Sequence, residues 1–519
     1  MSVPDMPVAW PSVIHMLTQT AKRFPKETAI VCGEKRLTYS EYHRCIAALA
    51  AEFRQAGIGT GDRIALLMGN SADIAVAIFA VQATGAQVVP LNPAYTAAEL
   101  GPVLADADVA LLVHDAGLEP VFSAILPAGT ATLCVGPSAR DLTVPGSPAS
   151  ATLPLPDPGT LSTLQYTGGT TGAAKGVDLT HAAIAINIAQ REALLPTVAQ
   201  ERILAITPLF HIYAVSMGLY LAANCGGMLV IVPKFTAHGV LQDIAEHRIS
   251  FLSASPTIFQ ALMRDEGFGR ADLSSLRVCS SGSAALAADV LTRWERATGA
   301  VICEGYGQTE AGPVLTYNPL QGARLPGTVG IAAPATEISI VDVETGSTAL
   351  PLDADGEIRA RGPQIMAGYR NCPAETAQAL RDGWLYTGDI GRLTATGHLV
   401  ICDRKKDMVV TSGYNVFPRE IEEVLFALPG VADAAIIGVP DAYRGEVLHA
   451  FVVRADPALT EADIRAHIAT QLTKYKWPRD IDFVAALPKT IIGKTDKKKM
   501  RKQVPAGLAQ NSPVHAGRR

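Results

Sequence analysis

Between Thr38 and Glu99 the chain alternates capped helices with short apolar runs, and this alternation limits its fold more than any other feature. Thr38-x-x-Glu41 is a capping box, in which each side chain satisfies the other's backbone N–H, and Tyr42, Ile46, Leu49 and Phe53 follow at helical spacing until Gly57. Residues 64–68 then read as a buried strand, 72–83 as a helix ended near Gly85, 87–91 as a strand, and Thr96-x-x-Glu99 as the cap of another helix. Short strands alternating with helices predict an α/β fold with mainly parallel sheets.

The chain's 519 residues are enough for two or more domains, and 48% hydrophobic with 18% charged residues describes an ordinary globular protein. A net charge of -5 makes no electrostatic case for nucleic acid, and no apolar run reaches the roughly 18 residues that span a bilayer. Met1 to Trp10 carries no basic-then-apolar pattern, and Ala516-Gly-Arg-Arg519 is not a peroxisomal address, so a cytoplasmic protein without a transmembrane segment is expected. The eight cysteines include no C-x-x-C pair and read as reduced core residues.

Five prolines between Pro145 and Pro158 mark a surface connection, which leads into Gln165-Tyr-Thr-Gly-Gly-Thr-Thr-Gly-Ala-Ala-Lys-Gly176. Glycines at 168, 169 and 172 and threonines at 167, 170 and 171 leave N–H groups and hydroxyls free to converge on an anion, and Lys175 adds a positive charge. For these residues taken alone, a mobile glycine-rich turn is the lesser alternative. The nucleotide-triphosphate loop G-x-x-x-x-G-K-[ST] is absent, because Ala174 precedes the lysine and Gly176 follows it.

The stretch resembles the signature loop of the adenylate-forming superfamily of acyl-CoA synthetases, luciferases and peptide-synthetase adenylation domains, close to Y-T-S-G-T-T-G-x-P-K-G. Gly168 replaces the usual serine and Ala174 the usual proline. The resemblance implies that Thr167, Gly168, Gly169, Thr170, Thr171, Gly172 and Lys175 cradle the phosphates of ATP. Pro208-Leu-Phe-His-Ile-Tyr-Ala214 is similar to a segment of coumarate and fatty acyl-CoA ligases, which makes His211 and Tyr213 pocket residues on the path to the thiol. Met217, Gly307, Pro313 and Val314 join them in the expected acyl pocket. No acid lies between His211 and Val232, where peptide-synthetase domains hold an α-ammonium group, so an amino-acid substrate is disfavoured.

Ser280-Ser-Gly-Ser-Ala284 and Val301 to Pro313 resemble the family's adenine segments, so Gly282, Ser283 and Gly305 border the base and Tyr306 stacks on it. Thr309 and Glu310 then face the phosphates, with Glu310 and Thr170 as the expected magnesium ligands. Asp389 and Arg404, separated by a short hairpin, suit a ribose: the carboxylate accepts from both hydroxyls and the guanidinium donates. They also sit where the family places its ribose ligands.

Beyond Arg404 the resemblance implies a hinge at Lys406, a Ser412-Gly413-Tyr414 segment presented to pantetheine, and a catalytic lysine, Lys494, in Pro488-Lys-Thr-Ile-Ile-Gly-Lys494. It divides the chain into a large N-terminal AMP-binding domain (1–403) of several subdomains with the acyl pocket, a small mobile α+β domain (404–506) and a disordered tail (507–519). The expected reaction is the ATP-dependent ligation of a fatty or aryl carboxylic acid to coenzyme A through an acyl-adenylate, with magnesium as cofactor. His211, Thr170, Glu310 and Lys494 are its expected catalytic residues. An acyl-AMP ligase loading a separate carrier protein and a non-catalytic adenylate-binding regulator are the alternatives, and a homodimer is an expected assembly.

Overall fold

A helix that is apolar on every face has to lie inside, and Ala72–Ala83 does: all twelve of its residues are buried. A computed structural model describes residues 5–136, 139–145, 152–167, 174–412, 414–441, 443–489 and 495–503. In it the chain divides into two compact units, one of Met1–Ile338, Arg359–Tyr386 and Thr396–Leu399, the other of Ser339–Ile358, Thr387–Ala395 and Val400–Arg519.

The first unit holds two sheets. One runs in the order Gly368–Tyr369, Lys175–Thr180, Leu161–Thr167, Gln87–Leu91, Arg63–Leu67, Leu111–Asp115, Ala131–Val135. It is parallel from Leu161–Thr167 onward and antiparallel at its first two junctions. The other has nine strands, with Arg202–Ala205, Met228–Ile231, Phe251–Ala254, Val278–Ser281 and Val301–Tyr306 in its parallel middle. Helix Ala72–Ala83 shares one apolar core with Ile64 and Val88 of the first sheet and Ile30, Ile203 and Leu229 of the second. Its one amide, Gln82, donates from Nε2 to Ser162 Oγ at 2.9 Å and to Tyr220 Oη at 2.6 Å, while its buried Oε1 has no partner among the described residues.

The capping boxes expected at Thr38 and Thr96 are formed with both reciprocal bonds, and Thr460 closes a third with Asp463. Strand limits move slightly where a turn competes. The apolar run from Leu276 enters its strand only at Val278–Ser281, because Leu276 N donates into a turn at Leu273 O (3.1 Å). The cysteines are free, but only Cys45, Cys279 and Cys303 are fully buried; Cys32, Cys134 and Cys402 in strands, Cys225 at a helix end and Cys372 before a helix are half-buried, which corrects the expectation of core residues.

The second unit is built on an antiparallel hairpin, Val431–Asp441 with Gly445–Arg454, flanked by Val409–Thr411 and Asp480–Phe483. Helices Pro418–Phe426 and Glu461–Gln471 cover it through Ile421, Leu425, Ile464 and Ile468, all buried. Among the described residues no helix is long and apolar enough to cross a membrane. The expected tail, and much of the connection after Pro145, fall outside the described residues.

Phe79 lies edge-on to Tyr42 and Tyr220, with centroids 6.0 and 5.6 Å away, at the middle of the buried helix. Phe79→Ala should lower the unfolding free energy by about 3–5 kcal/mol in a urea titration. Phe426→Ala, at a 46% exposed position, should change it by less than about 0.5 kcal/mol.

Candidate active site

The glycine- and threonine-rich loop joins two antiparallel strands, with Thr167 opposite Lys175 and Tyr166 opposite Gly176. Gly168, Gly169, Thr170, Thr171 and Gly172 lie outside the described residues, so the base of the hairpin defines the region. A Cβ on Gly176 would come within 2.7 Å of Leu164 Cδ1 and 3.1 Å of Tyr166 Cζ, so close packing of the two strands requires glycine there.

Lys175 extends over a residue that the sequence did not single out. Its Nζ is 5.2 Å from the centroid of the Tyr369 ring, and Tyr369 Oη donates to Glu310 Oε1 at 2.8 Å. Burial, and then the Glu310 charge, push the Tyr369 phenol well above its usual pKa, so it stays protonated and keeps donating. The two-residue strand Gly368–Tyr369 pairs with Lys175–Thr180, and Arg370 N donates to Gly176 O at 2.8 Å. Glu310 is brought there by its own carbonyl, which accepts from Met366 N at 2.9 Å. A cation, an aromatic ring and a carboxylate from three distant parts of the chain thus meet beside the loop.

The parallel neighbours Val278–Ser281 and Val301–Tyr306 end side by side, so Gly282-Ser283 and Gly305-Tyr306-Gly307 emerge together at the carboxyl edge of the sheet. A Cβ on Gly282 would sit 3.2 Å from the Tyr213 ring, and Tyr213 Oη lies 3.3 Å from Ser280 Oγ, which donates to Ser253 Oγ at 2.9 Å. At Gly307 a Cβ would fall 1.8 Å from Pro313 O. Gly305 faces the buried Tyr317 ring, whose hydroxyl donates to Met217 Sδ at 3.6 Å from the π-helical turn Val215–Tyr220.

Val314 is held by both backbone groups, since Asn187 accepts from its N at 2.9 Å and donates to its O at 2.8 Å. Asn187 is in turn fixed by Gln190, which also donates to Gln364. His211 caps the short helix Ile212–Ala214, and its Nδ1 accepts from Tyr213 N at 3.3 Å, which places the proton of the neutral ring on Nε2. Tyr213, Met217, Gly282, Gly305, Gly307, Pro313 and Val314 are therefore linked through Ser280, Tyr317 and Asn187. Ser280 opens the adenine-like segment read from the sequence, whereas Tyr317 and Asn187 carried no sequence signal, because each is defined by a partner far along the chain.

In the second unit Arg404 Nε is 3.3 Å from Asp389 Oδ1, with the carboxylate buried and the arginine half exposed. The strands that carry them, Trp384–Leu393 and Leu399–Arg404, are paired, and Lys405 N donates to Gly388 O at 2.9 Å. Burial, and then the Arg404 charge, lower the pKa of Lys406 below the ordinary lysine value. Gly413 and Lys494 lie outside the described residues. The loop before Thr495 is closed at its base by a bridge between Lys489 and Thr495 and by Asp496 N donating to Pro488 O at 2.8 Å.

Replacing Tyr369 with phenylalanine keeps a ring beneath Lys175 and removes only the bond to Glu310. Tyr369→Phe should cut ATP–pyrophosphate exchange by about tenfold with the melting temperature unchanged; an unaltered exchange rate would deny the bond a role.

A family model described as AMP-binding enzyme matches residues 17–370, and a second, AMP-binding enzyme C-terminal domain, matches residues 420–494. The chain is 34% identical to a long-chain-fatty-acid–CoA ligase of Bacillus subtilis (strain 168), over 96% of this chain and 95% of that protein. It is 33% identical to a feruloyl-CoA synthase of Amycolatopsis sp, over 95% and 98%. Among solved structures it is similar to the anthranilate CoA ligase AuaEII in complex with anthranoyl-AMP, with a TM-score of 0.89, 26% identity, and coverage of 98% of this chain and 100% of that one. This chain belongs to the AMP-binding enzyme family, within the adenylate-forming superfamily that its glycine- and threonine-rich loop resembles.

Proposed function

We propose that the protein is an AMP-forming acid–thiol ligase, which joins a fatty or aryl carboxylic acid to coenzyme A through an acyl-adenylate. The observation that most supports this reading is the meeting of Lys175 and Glu310 on Tyr369, in the same unit as the glycine-flanked strand ends that border Tyr213. The relatives named for fatty acid and feruloyl substrates support both acid classes. ATP and coenzyme A are the co-substrates, and the cytoplasm, which supplies both, is the proposed location.

A carboxylic acid with a pKa of about 4–5 is ionised at pH 7 and needs no general base to attack the α-phosphorus of ATP. The new bond joins a carboxylate oxygen to that phosphorus, and pyrophosphate leaves. Repulsion between two anions is the obstacle, which Lys175 and the N–H groups and hydroxyls of residues 167–172 would offset. The donor set around Glu310 fits magnesium, which takes hard oxygen ligands: Tyr369 holds Oε1, and Glu310 with Thr170 would hold the ion, which supplies charge neutralisation at the phosphates. Asp389 and Arg404 would hold the ribose, and Lys494 would stabilise the charge that develops in line.

In the second step the thiolate of coenzyme A attacks the acyl carbon and AMP leaves. Nδ1 of His211 accepts from Tyr213 N, so that nitrogen is not offered as a base, which suits a gate to the thiol path. Rotation at Lys406 would withdraw Lys494 and present the Ser412–Tyr414 segment between the two steps.

Pyrophosphate exchange into ATP, driven by acids from acetate to palmitate with benzoate and coumarate, tests the reaction and sorts its substrates. Exchange with none of them would remove the proposal in favour of a non-catalytic regulator. Lys494→Ala should lower exchange by roughly 10²-fold while thiolysis of a supplied acyl-adenylate stays nearly constant, and equal losses in both halves would count against its role.

A further inference from the structure

The turn that carries Arg404 and Lys406 is fastened from two sides within the second unit. Asp407 N and Met408 N both donate to Arg404 O, at 2.9 and 3.1 Å, so the turn is a tight backbone unit. At its start Asp403 accepts from Arg404 N at 2.7 Å with one oxygen and from Arg419 N at 2.9 Å with the other, which ties it to the first turn of helix Pro418–Phe426. At its end Asp407 Oδ1 accepts from Arg501 Nη2 at 2.8 Å.

Arg501 belongs to the short helix Lys497–Gln503, which is itself anchored. Lys497 Nζ lies 2.8 Å from Glu422 Oε1 in a mostly buried pair, and the same carboxylate oxygen accepts from Ile436 N at 2.8 Å. Burial works against the Lys497 ammonium, but Glu422, Asp403 and Asp407 outweigh it and hold its pKa above the ordinary lysine value. Met500 is fully buried against Ile437, Val439, Phe451 and Leu487. A helix fixed by a buried ion pair and a buried methionine thus presents one arginine to the turn.

From this arrangement we infer that Arg501 is a positioning residue for nucleotide binding, which acts through its pair with Asp407 to hold the Arg404–Met408 turn where Arg404 meets the ribose. The inference rests on the proposed ribose role of Asp389 and Arg404. The pair is half exposed on the arginine side, at 40%, so its effect on global stability is small while its effect on the angle of the turn is direct.

Steady-state kinetics on the full chain test it. Arg501→Ala should raise the KM for ATP by about three- to fivefold, and Arg501→Asp, which sets two carboxylates against each other, by about tenfold or more. In both, kcat, the KM for the acid and the melting temperature should stay within about twofold or unchanged. Arg501→Lys should retain a near-normal KM, and the swapped pair Arg501→Asp with Asp407→Arg should recover most of the loss. An unchanged KM for ATP in Arg501→Asp, a fall in kcat that follows the melting temperature, or no recovery in the swap would each overturn the inference. Arg404→Gln separates it from the reading beneath it: a raised KM there with a normal Arg501→Asp removes only the positioning role, and a normal KM in Arg404→Gln removes the ribose role along with it.

Discussion

Parallel strands can be joined only by crossovers that return the chain to the same end, and most of what surrounds the candidate site depends on this. Because Val278–Ser281 and Val301–Tyr306 run the same way in register, their following residues come out at one edge. Gly282 and Ser283 therefore stand beside Gly305, Tyr306 and Gly307 although more than a full helix separates them in sequence. The strands are covered on both faces, so the helix that packs between the sheets has no polar side to offer, as Ala72–Ala83 illustrates.

Features set by local bonds were legible in the sequence. A capping box needs only a threonine and an acid three residues apart, and both pairs read from the sequence close as expected. The strand–helix order was equally legible, because apolar periodicity reports burial directly. Strand ends were less so, since Leu276 could enter either a turn or a ladder and the turn prevails. Tyr369 escaped notice for a different reason. Its partner Glu310 is 59 residues away, and it sits on a two-residue edge strand with no periodicity to read. Asn187 is a similar case, with 127 residues between it and the backbone it clamps. The residues proposed to touch the phosphates, in contrast, were found through a resemblance, and several of them lie outside the described part of the chain.

Charge is arranged differently beside Lys175 and around the Arg404 turn. At the base of the loop hairpin, Lys175 and Glu310 are each held on the same residue, the cation over the Tyr369 ring and the carboxylate on its hydroxyl. In the second unit opposite charges touch directly, at Lys497 and Glu422, at Arg501 and Asp407, and at Arg404 and Asp389. Pairs of the second kind fix backbone direction more than they add stability.

The glycines at the end of strand Val301–Tyr306 also say where this pocket can be redesigned. Gly307 has a carbonyl oxygen 1.8 Å from where its Cβ would be and Gly305 has an aromatic ring at 2.5 Å, so randomising either codon would fill a library with misfolded clones. Val314 is a milder case: Asn187 grips its main chain, so the backbone is held independently of the side chain, which is buried in the core and tolerates apolar residues of similar volume. A search for altered acid preference would do best to vary 213, 217 and 314 together and leave both glycines and Asn187 untouched.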